Sequence, residues 1–314
     1  MPETSISVSE SNAPAKELGF SVKQGVNWSN YLAYRPIYPA SFFERVYGYH
    51  AQKPGASWSI AHDIGAGCGV VASTLATRFS SVIVSDPNDG YVTLARKLLV
   101  GEASLPESKF EFLQEPAEKS SVQSGTVDLA TACECIPWAV PDVAIREFCR
   151  ELKPGGTLLI TYYTRPKITA SELAEKAWEA VWAVHSEKAQ GELFDKAFVI
   201  VNTALENLEF PEEEWDTVKR VYINAQGSVD AFRMNNLKGE SKVKEGEEKI
   251  WVEDDEDWCD MHGFEWFKAY LATWVPFIPE AEMQEVWDEL EISLEGKQVK
   301  TRTPVVMVFA TKKA

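Results

Sequence analysis

The residues best suited to chemistry form one short run, Asp63-Ile64-Gly65-Ala66-Gly67-Cys68-Gly69. A strand-like stretch, Trp58 to His62, precedes it. A helical apolar stripe of Val70, Val71, Leu75, Ala76 and Phe79 follows. Strand, glycine turn and helix in that order cradle a ligand. Glycine lets the backbone turn sharply and approach closely, and the helix start offers unpaired N–H groups. An acid just before the glycines, Asp63, favours a ligand with a positive end over a bare phosphate. A second acid, Asp86, closes the next strand, where a carboxylate can accept both hydroxyls of a ribose.

Two ligand classes use such a unit, dinucleotides and S-adenosylmethionine. Gly67-x-Gly69-x-x-Ala72 fits the loose dinucleotide pattern, and Asp86 serves either ligand. Asp63 and the run Leu152-Lys153-Pro154-Gly155-Gly156-Thr157-Leu158-Leu159-Ile160 favour the sulfonium ligand, because a carboxylate can hold its ammonium group.

These residues need a frame. Strand signals fall at Trp58–His62, Ser81–Ser85, Phe110–Leu113, Thr126–Ala132, Thr157–Tyr162, Val218–Ile223 and Val305–Ala310. Helical stripes alternate with the first five, so a doubly wound α/β fold is expected, with a mostly parallel seven-stranded sheet and right-handed crossovers. After residue 165 the pattern changes to helices rich in tryptophan, expected to cap the sheet. Thr169-Ala170-Ser171-Glu172 reads as a capping box. Residues 239–257 are charge-dense and read as a mobile loop or hairpin.

Taken together, the motifs resemble the class I S-adenosylmethionine-dependent methyltransferases, over residues 25–165 and the last strand. Tyr34-Arg35-Pro36-x-Tyr38-Pro39, Pro116-Ala117-Glu118, Val127 to Ala132 and Tyr270 to Trp274 resemble the trans-aconitate methyltransferase-like branch. The resemblance implies a Rossmann-like methyltransferase fold, S-adenosylmethionine as cofactor and S-adenosylhomocysteine as product, without a metal. It also implies roles. Asp63, Gly65, Ala66 and Gly67 would line the methionine end; Asp86 and Pro87 the ribose; Ala117 and Glu118 the adenine; Cys133 and Glu134 the reacting methyl group. Tyr31, Tyr34 and Arg35 would close over the site. Tyr31, Trp138, Trp178, Trp182, Trp266 and Trp274 are expected around the acceptor. The branch often places a histidine before the tryptophan that ends its fourth motif. Here Pro137 fills that slot, which leaves Glu134 as the candidate base, or a substrate that needs none.

The expected reaction is direct displacement of the sulfonium methyl onto a small organic acid or secondary-metabolite-like acceptor, with O-methylation favoured. The rival readings are a nicotinamide-dependent oxidoreductase and a cofactor-binding regulatory protein. Residues 1–20 read as a flexible tail and residues 21–314 as one methyltransferase domain. Within it, residues 25–165 bind the cofactor, 166–300 cap the sheet around one core strand near 218–223, and 305–313 close it.

Composition narrows the partners. The net charge of −17 repels phosphate backbones, so a nucleic-acid substrate is not expected. No apolar run is long enough to span a bilayer. Five cysteines without a CxxC pair, and a polar start from Met1 to Asn12, point to the cytoplasm. The oligomeric state stays open. His62 reads as a satisfied core residue, and Asp128 as structural. His50 has no evident partner. His185 shares a helix stripe with Trp178 and Trp182; the stripe reads either as pocket lining or as ordinary helix packing, and packing is the expected role. His262 and the acids Asp254 to Asp257 read as a solvated loop rather than a metal site.

Overall fold

The computed structural model describes residues 27–314, so the tail expected over residues 1–20 lies outside the described residues. Helices α1 (Trp28–Tyr34) and α2 (Ala40–Ala51) lead into β1 (Ile60–Ile64), α3 (Val70–Leu75), β2 (Ser81–Asp86), α4 (Asp89–Arg96), β3 (Phe110–Gln114) and β4 (Val127–Cys133). Helix α5 (Pro141–Glu151) then joins β5 (Leu152–Tyr163). Next come β6 (Lys167–Ile168), α6 (Glu172–Lys188), α7 (Glu192–Asn202), β7 (Trp215–Ile223) and β8 (Glu248–Val252). The chain ends with β9 (Cys259–His262), α8 (Phe264–Leu271), α9 (Gln284–Leu294), β10 (Val299–Arg302) and β11 (Val305–Lys312).

The main sheet has the order β3-β2-β1-β4-β5-β11-β7-β8. Every pairing is parallel except those of β11, which runs antiparallel to both β5 and β7. The order reverses between β1 and β4, and in such sheets the crevice beyond the carboxyl ends of those strands takes the ligand. One apolar layer, with Phe42, Val46, Leu75 and Phe79, covers one face. A second, with Phe148, Trp178, Phe232 and Leu290, covers the other. Strands buried on both faces are apolar along most of their length, which is why β1, β2 and β4 stood out in the sequence.

The buried polar residues inside these strands are hydrogen-bonded. His62 bridges Glu151 Oε2 at 2.6 Å and Ser85 Oγ at 2.7 Å. Asp128 accepts from the Ser59 and Ile60 N–H groups, at 3.0 and 2.8 Å, and from Lys153 Nζ at 2.6 Å. It staples the ends of β1 and β4 away from the crevice. His50, for which the sequence offered no partner, bonds Thr157 Oγ1 at 2.7 Å and the Ser57 carbonyl at 2.8 Å.

Three expectations are corrected. Among the described residues the sheet has eight strands rather than seven. The extra one, β8, lies inside the segment read as a loop or hairpin, because its charged Glu248 and Lys249 suit an exposed edge and hide the strand pattern. Its Trp251 stacks on Tyr222 at 4.3 Å, and Glu247 just before it pairs with the fully buried Arg220 at 2.6 Å. Helix α6 is capped by Ser171, whose Oγ accepts from Ala174 N at 3.2 Å, and not by Thr169, whose N–H pairs with Lys300. Strand β5 starts at Leu152, so Lys153 to Gly156 lie inside the strand instead of ahead of it.

Helices α6, α8 and α9 form the cap. Trp178 is its centre, with ring centroids 4.8 Å from Phe267, 5.6 Å from Trp182 and 6.4 Å from Trp287. The Trp178 indole donates to the Pro166 carbonyl at 2.8 Å, so this large ring is buried with its polar edge satisfied. A small antiparallel sheet, β6-β10-β9, ties the cap to the main body.

Candidate active site

A cleft of about 210 Å³ opens at the carboxyl ends of β1, β2 and β4. Its floor is the glycine turn. Gly65, Gly67 and Gly69 have φ of 62°, 54° and 84°, a region that side chains disfavour. Gly65 is fixed twice over, because a Cβ there would lie 2.4 Å from the Cβ of Cys135. The turn is held from β2, as Ala66 N donates to the Ser85 carbonyl at 2.9 Å and Gly67 N to Asp86 Oδ2 at 3.0 Å. Gly69 then caps α3 in the left-handed region.

Asp63, Asp86 and Glu134 line this end of the cleft, and loss of water pushes each of them up. Asp63, 1% exposed, is raised to about 7 despite accepting from Thr131 Oγ1 and Ala72 N at 2.9 Å each. Asp86 is raised to about 6, held back by the N–H groups of Asn88 and Gly67. Glu134, half-buried, is raised to about 8, held back by the Tyr163 N–H at 2.6 Å and by the charge of Arg35. Its backbone is left-handed, φ 61°, an uncommon conformation for a non-glycine residue that concentrates at functional sites. Loss of water thus favours the neutral form of each of these carboxyls, and a cation placed beside them would favour ionisation.

Helix α1 crosses the mouth. Trp28 sits edge-on to Tyr91 at 4.5 Å, and its ring would be 3.7 Å from a Cβ on Gly67. Arg35 fastens the helix to the cap. Its Nε donates to Thr273 Oγ1 at 2.8 Å, one Nη donates to the Thr273 carbonyl at 3.0 Å, and the guanidinium lies 3.9 Å from the Trp274 ring centre. Beyond α1 the cleft becomes apolar. Trp138 and Phe194 meet edge to face at 5.9 Å, and Phe198, Val201, Met234 and Trp274 continue the wall.

Of the residues singled out in the sequence, the cleft brings together Asp63, Gly65, Ala66, Gly67, Asp86, Pro87, Ala117, Glu118, Cys133, Glu134, Tyr31, Arg35, Trp138 and Trp274. Glu118 also accepts from Val140 N at 2.7 Å, which fixes the loop after β4. Four residues lie elsewhere. Tyr34 packs on the core beside the cleft. Trp178 and Trp182 are interior to the cap, and Trp266 stacks between His262 at 3.4 Å and Tyr270 at 4.9 Å. The sequence pointed to none of Trp28, Tyr38, Tyr163, Phe194, Phe198 and Met234 as cleft residues, and His185, expected to pack, lines the cleft instead. The helical spacing of Phe194, Ala197, Phe198 and Val201 on α7 was the available signal. No group of three metal-ligating side chains occurs among the described residues. None of the described helices is long and apolar enough to cross a membrane.

The residues present fit an adenosyl donor. A glycine-rich turn lies beside a carboxylate at the end of β2, and Asp63 and Glu134, which could hold a cationic group, line the same cleft.

Comparison with known proteins agrees. A family profile described as a methyltransferase domain matches residues 62–160. Methyltransferase cfoB of Aspergillus candidus is 30% identical over 91% of this chain and 94% of its own. Methyltransferase pgmE of Aspergillus terreus is 27% identical over 91% of this chain and 93% of its own. The solved structure of a provisionally assigned type II methyltransferase from Anaeromyxobacter dehalogenans matches in fold with a TM-score of 0.58. It covers 88% of this chain and 97% of its own at 17% identity.

Proposed function

The chain belongs to the class I S-adenosylmethionine-dependent methyltransferases, and from that premise we propose that it methylates an oxygen of a small organic acid or secondary-metabolite-like acceptor. The observation that carries this reading is the division of one cleft into a polar end and an aromatic end. S-adenosylmethionine brings a methyl group already activated on a sulfonium, so the protein's task is alignment and exclusion of water.

Each end has its work. The glycine turn lets the donor approach the backbone, and Asp86 accepts its ribose hydroxyls, with Pro87, Ala117 and Glu118 beside the nucleoside. Asp63 and Glu134 face the methionine end. Their raised carboxyls ionise when an ammonium arrives, because a nearby cation favours the charged form. Tyr31 and Trp28 on α1 cover the mouth, and Arg35 holds that cover to the cap. Trp138, Phe194 and Trp274 give an apolar acceptor its walls. A compact, largely apolar cleft also suits a small acceptor better than a nucleic acid.

Calorimetry with S-adenosylhomocysteine, followed by labelled methyl transfer to carboxylic acids, phenols and thiols, tests the reading. Asp86→Ala should weaken product binding by about 10- to 100-fold, since it removes a buried charged acceptor. Unchanged binding in that variant would remove Asp86 from the donor site. Transfer to the thiols alone would overturn the oxygen assignment.

A further inference from the structure

One buried imidazole in the aromatic half of the cleft has no role in the account above. His185 sits in the last turn of α6, 3% exposed, in a wall shared by two cavities. On one side lies the main cleft with Phe198, Val201 and Met234. On the other lies a smaller cavity of about 120 Å³, bordered by Lys268, Met283 and Trp287. That cavity reaches the surface at the exposed Phe277 and Glu280.

Neither ring nitrogen of His185 makes a hydrogen bond of regular geometry, although the Pro276 carbonyl lies close enough to act on the ring. A carbonyl beside one nitrogen favours the proton there and leaves the other nitrogen with an open lone pair. A buried polar atom without a partner calls for an explanation, and a ligand's polar group is one. The helix stripe that also carries Trp178 and Trp182 explains why His185 is buried. It does not explain why a ring with two polar atoms stands at this wall.

We propose, building on the methyltransferase reading above, that the acceptor is a phenol and that His185 takes its hydroxyl proton as the methyl group arrives. The new O–CH3 bond forms with an oxygen electron pair, while the C–S bond breaks and leaves its pair on sulfur. The O–H pair stays on oxygen, and the proton moves to the open nitrogen of His185. One positive charge disappears from sulfur and one appears on the imidazole, so the step balances. A carboxylate acceptor arrives ionised and has no proton to give, whereas a phenol benefits from a base.

The second cavity completes the route. Burial pushes His185 down to about 4, and the charge of Arg35 pushes the same way. The imidazole therefore meets the acceptor neutral, and the imidazolium releases its proton quickly. The outward path leads to solvent past the Lys268–Glu280 ion pair. Of the charged groups bordering the two cavities, Arg35, Asp63, Asp86, Glu118 and Glu134 line the main cleft, and Lys268 and Glu280 line the smaller one.

The test compares wild type with His185→Gln and His185→Phe, using S-adenosylhomocysteine affinity as the measure that the donor half is intact. Labelled methyl transfer is followed on naphthols and hydroxybenzenes, on nitrophenols already ionised at the assay pH, and on benzoic acids. On un-ionised phenols, kcat should fall by about 100-fold or more in both variants, the usual contribution of a general base, while ionised nitrophenols stay within about threefold. Independently of turnover, 2-naphthol added to the wild-type product complex should shift the 15N resonances of the His185 ring. Equal losses on both phenol classes, no loss on either, or an unmoved His185 resonance would overturn the proposal. So would a wild-type enzyme that binds the product yet methylates no phenol, and that result would leave the methyltransferase reading standing. A protein that neither binds the product nor transfers a methyl group to any acceptor would instead strike down that reading.

Discussion

The two ends of the cleft are built on different principles. At the glycine end the polar groups answer to the backbone. Gly67 N reaches Asp86, Ala72 N reaches Asp63 and Tyr163 N reaches Glu134. At the cap end rings pack on rings: Trp138 meets Phe194 at 5.9 Å, and Trp274 in the cleft wall packs on the buried Trp182 at 5.0 Å and Tyr270 at 6.0 Å. A backbone-built site holds one ligand shape and tolerates little change. A ring-built site can be reshaped one side chain at a time. The first suits a donor shared across a family and the second an acceptor peculiar to each member.

The contrast can be broken most forcefully at Gly65. Gly65→Val adds a branched side chain at φ 62°, with its Cβ placed 2.4 Å from that of Cys135. Affinity for S-adenosylhomocysteine should fall by more than about 100-fold, because both the turn and the β4 loop must shift. Titration calorimetry checks this; binding within about threefold of wild type would show a far softer turn than the geometry implies.

In the other region, Trp178→Ala should cost about 3–5 kcal/mol of stability, the range for deleting a fully buried large ring. Product affinity should stay close to wild type at a temperature where the variant is folded. Denaturant unfolding read beside calorimetry separates the two quantities. A parallel loss of both would show that cap and donor site are one cooperative unit.

A smaller effect sharpens the electrostatic side. Burial raises Glu134 to about 8 from the ordinary glutamate value near 4.5. The folded state thus binds its proton more tightly than the unfolded chain does. That contribution to stability is fully present below pH about 4.5 and is lost as pH rises through about 8. The ligand-free melting temperature should therefore decline across that window. Glu134→Gln, which cannot ionise, should flatten the decline and leave the smaller shares of Asp63 and Asp86. A steeper decline in the variant would reverse the sign assigned to this group.

The same division decides what could be read from the sequence. Asp63, the glycines and Asp86 were legible because a strand, a sharp turn and a helix need those residue types in that order. The fold class followed from apolar runs at regular spacing, and the family relationship replaces the nicotinamide alternative. Strand β8 was hidden because an edge strand can carry Glu248 and Lys249 without penalty. The cap was legible only as a cap. Spacing placed Trp178, Trp182 and His185 on one stripe, but a stripe does not say which part of it meets a cavity. The structure puts the two tryptophans inside and the histidine at the wall, the reverse of the expected assignment.

Strand β11 has a consequence for how the molecule is made. It is the last of the described elements, yet it lies between β5 and β7, with ladders on both sides. During synthesis β7 and β8 leave the ribosome with no neighbour on their inner side, since the strand that joins them to β1–β5 is still untranslated. Until residues 305–312 emerge, the nascent chain holds an incomplete sheet with two open seams, each a template for mispairing.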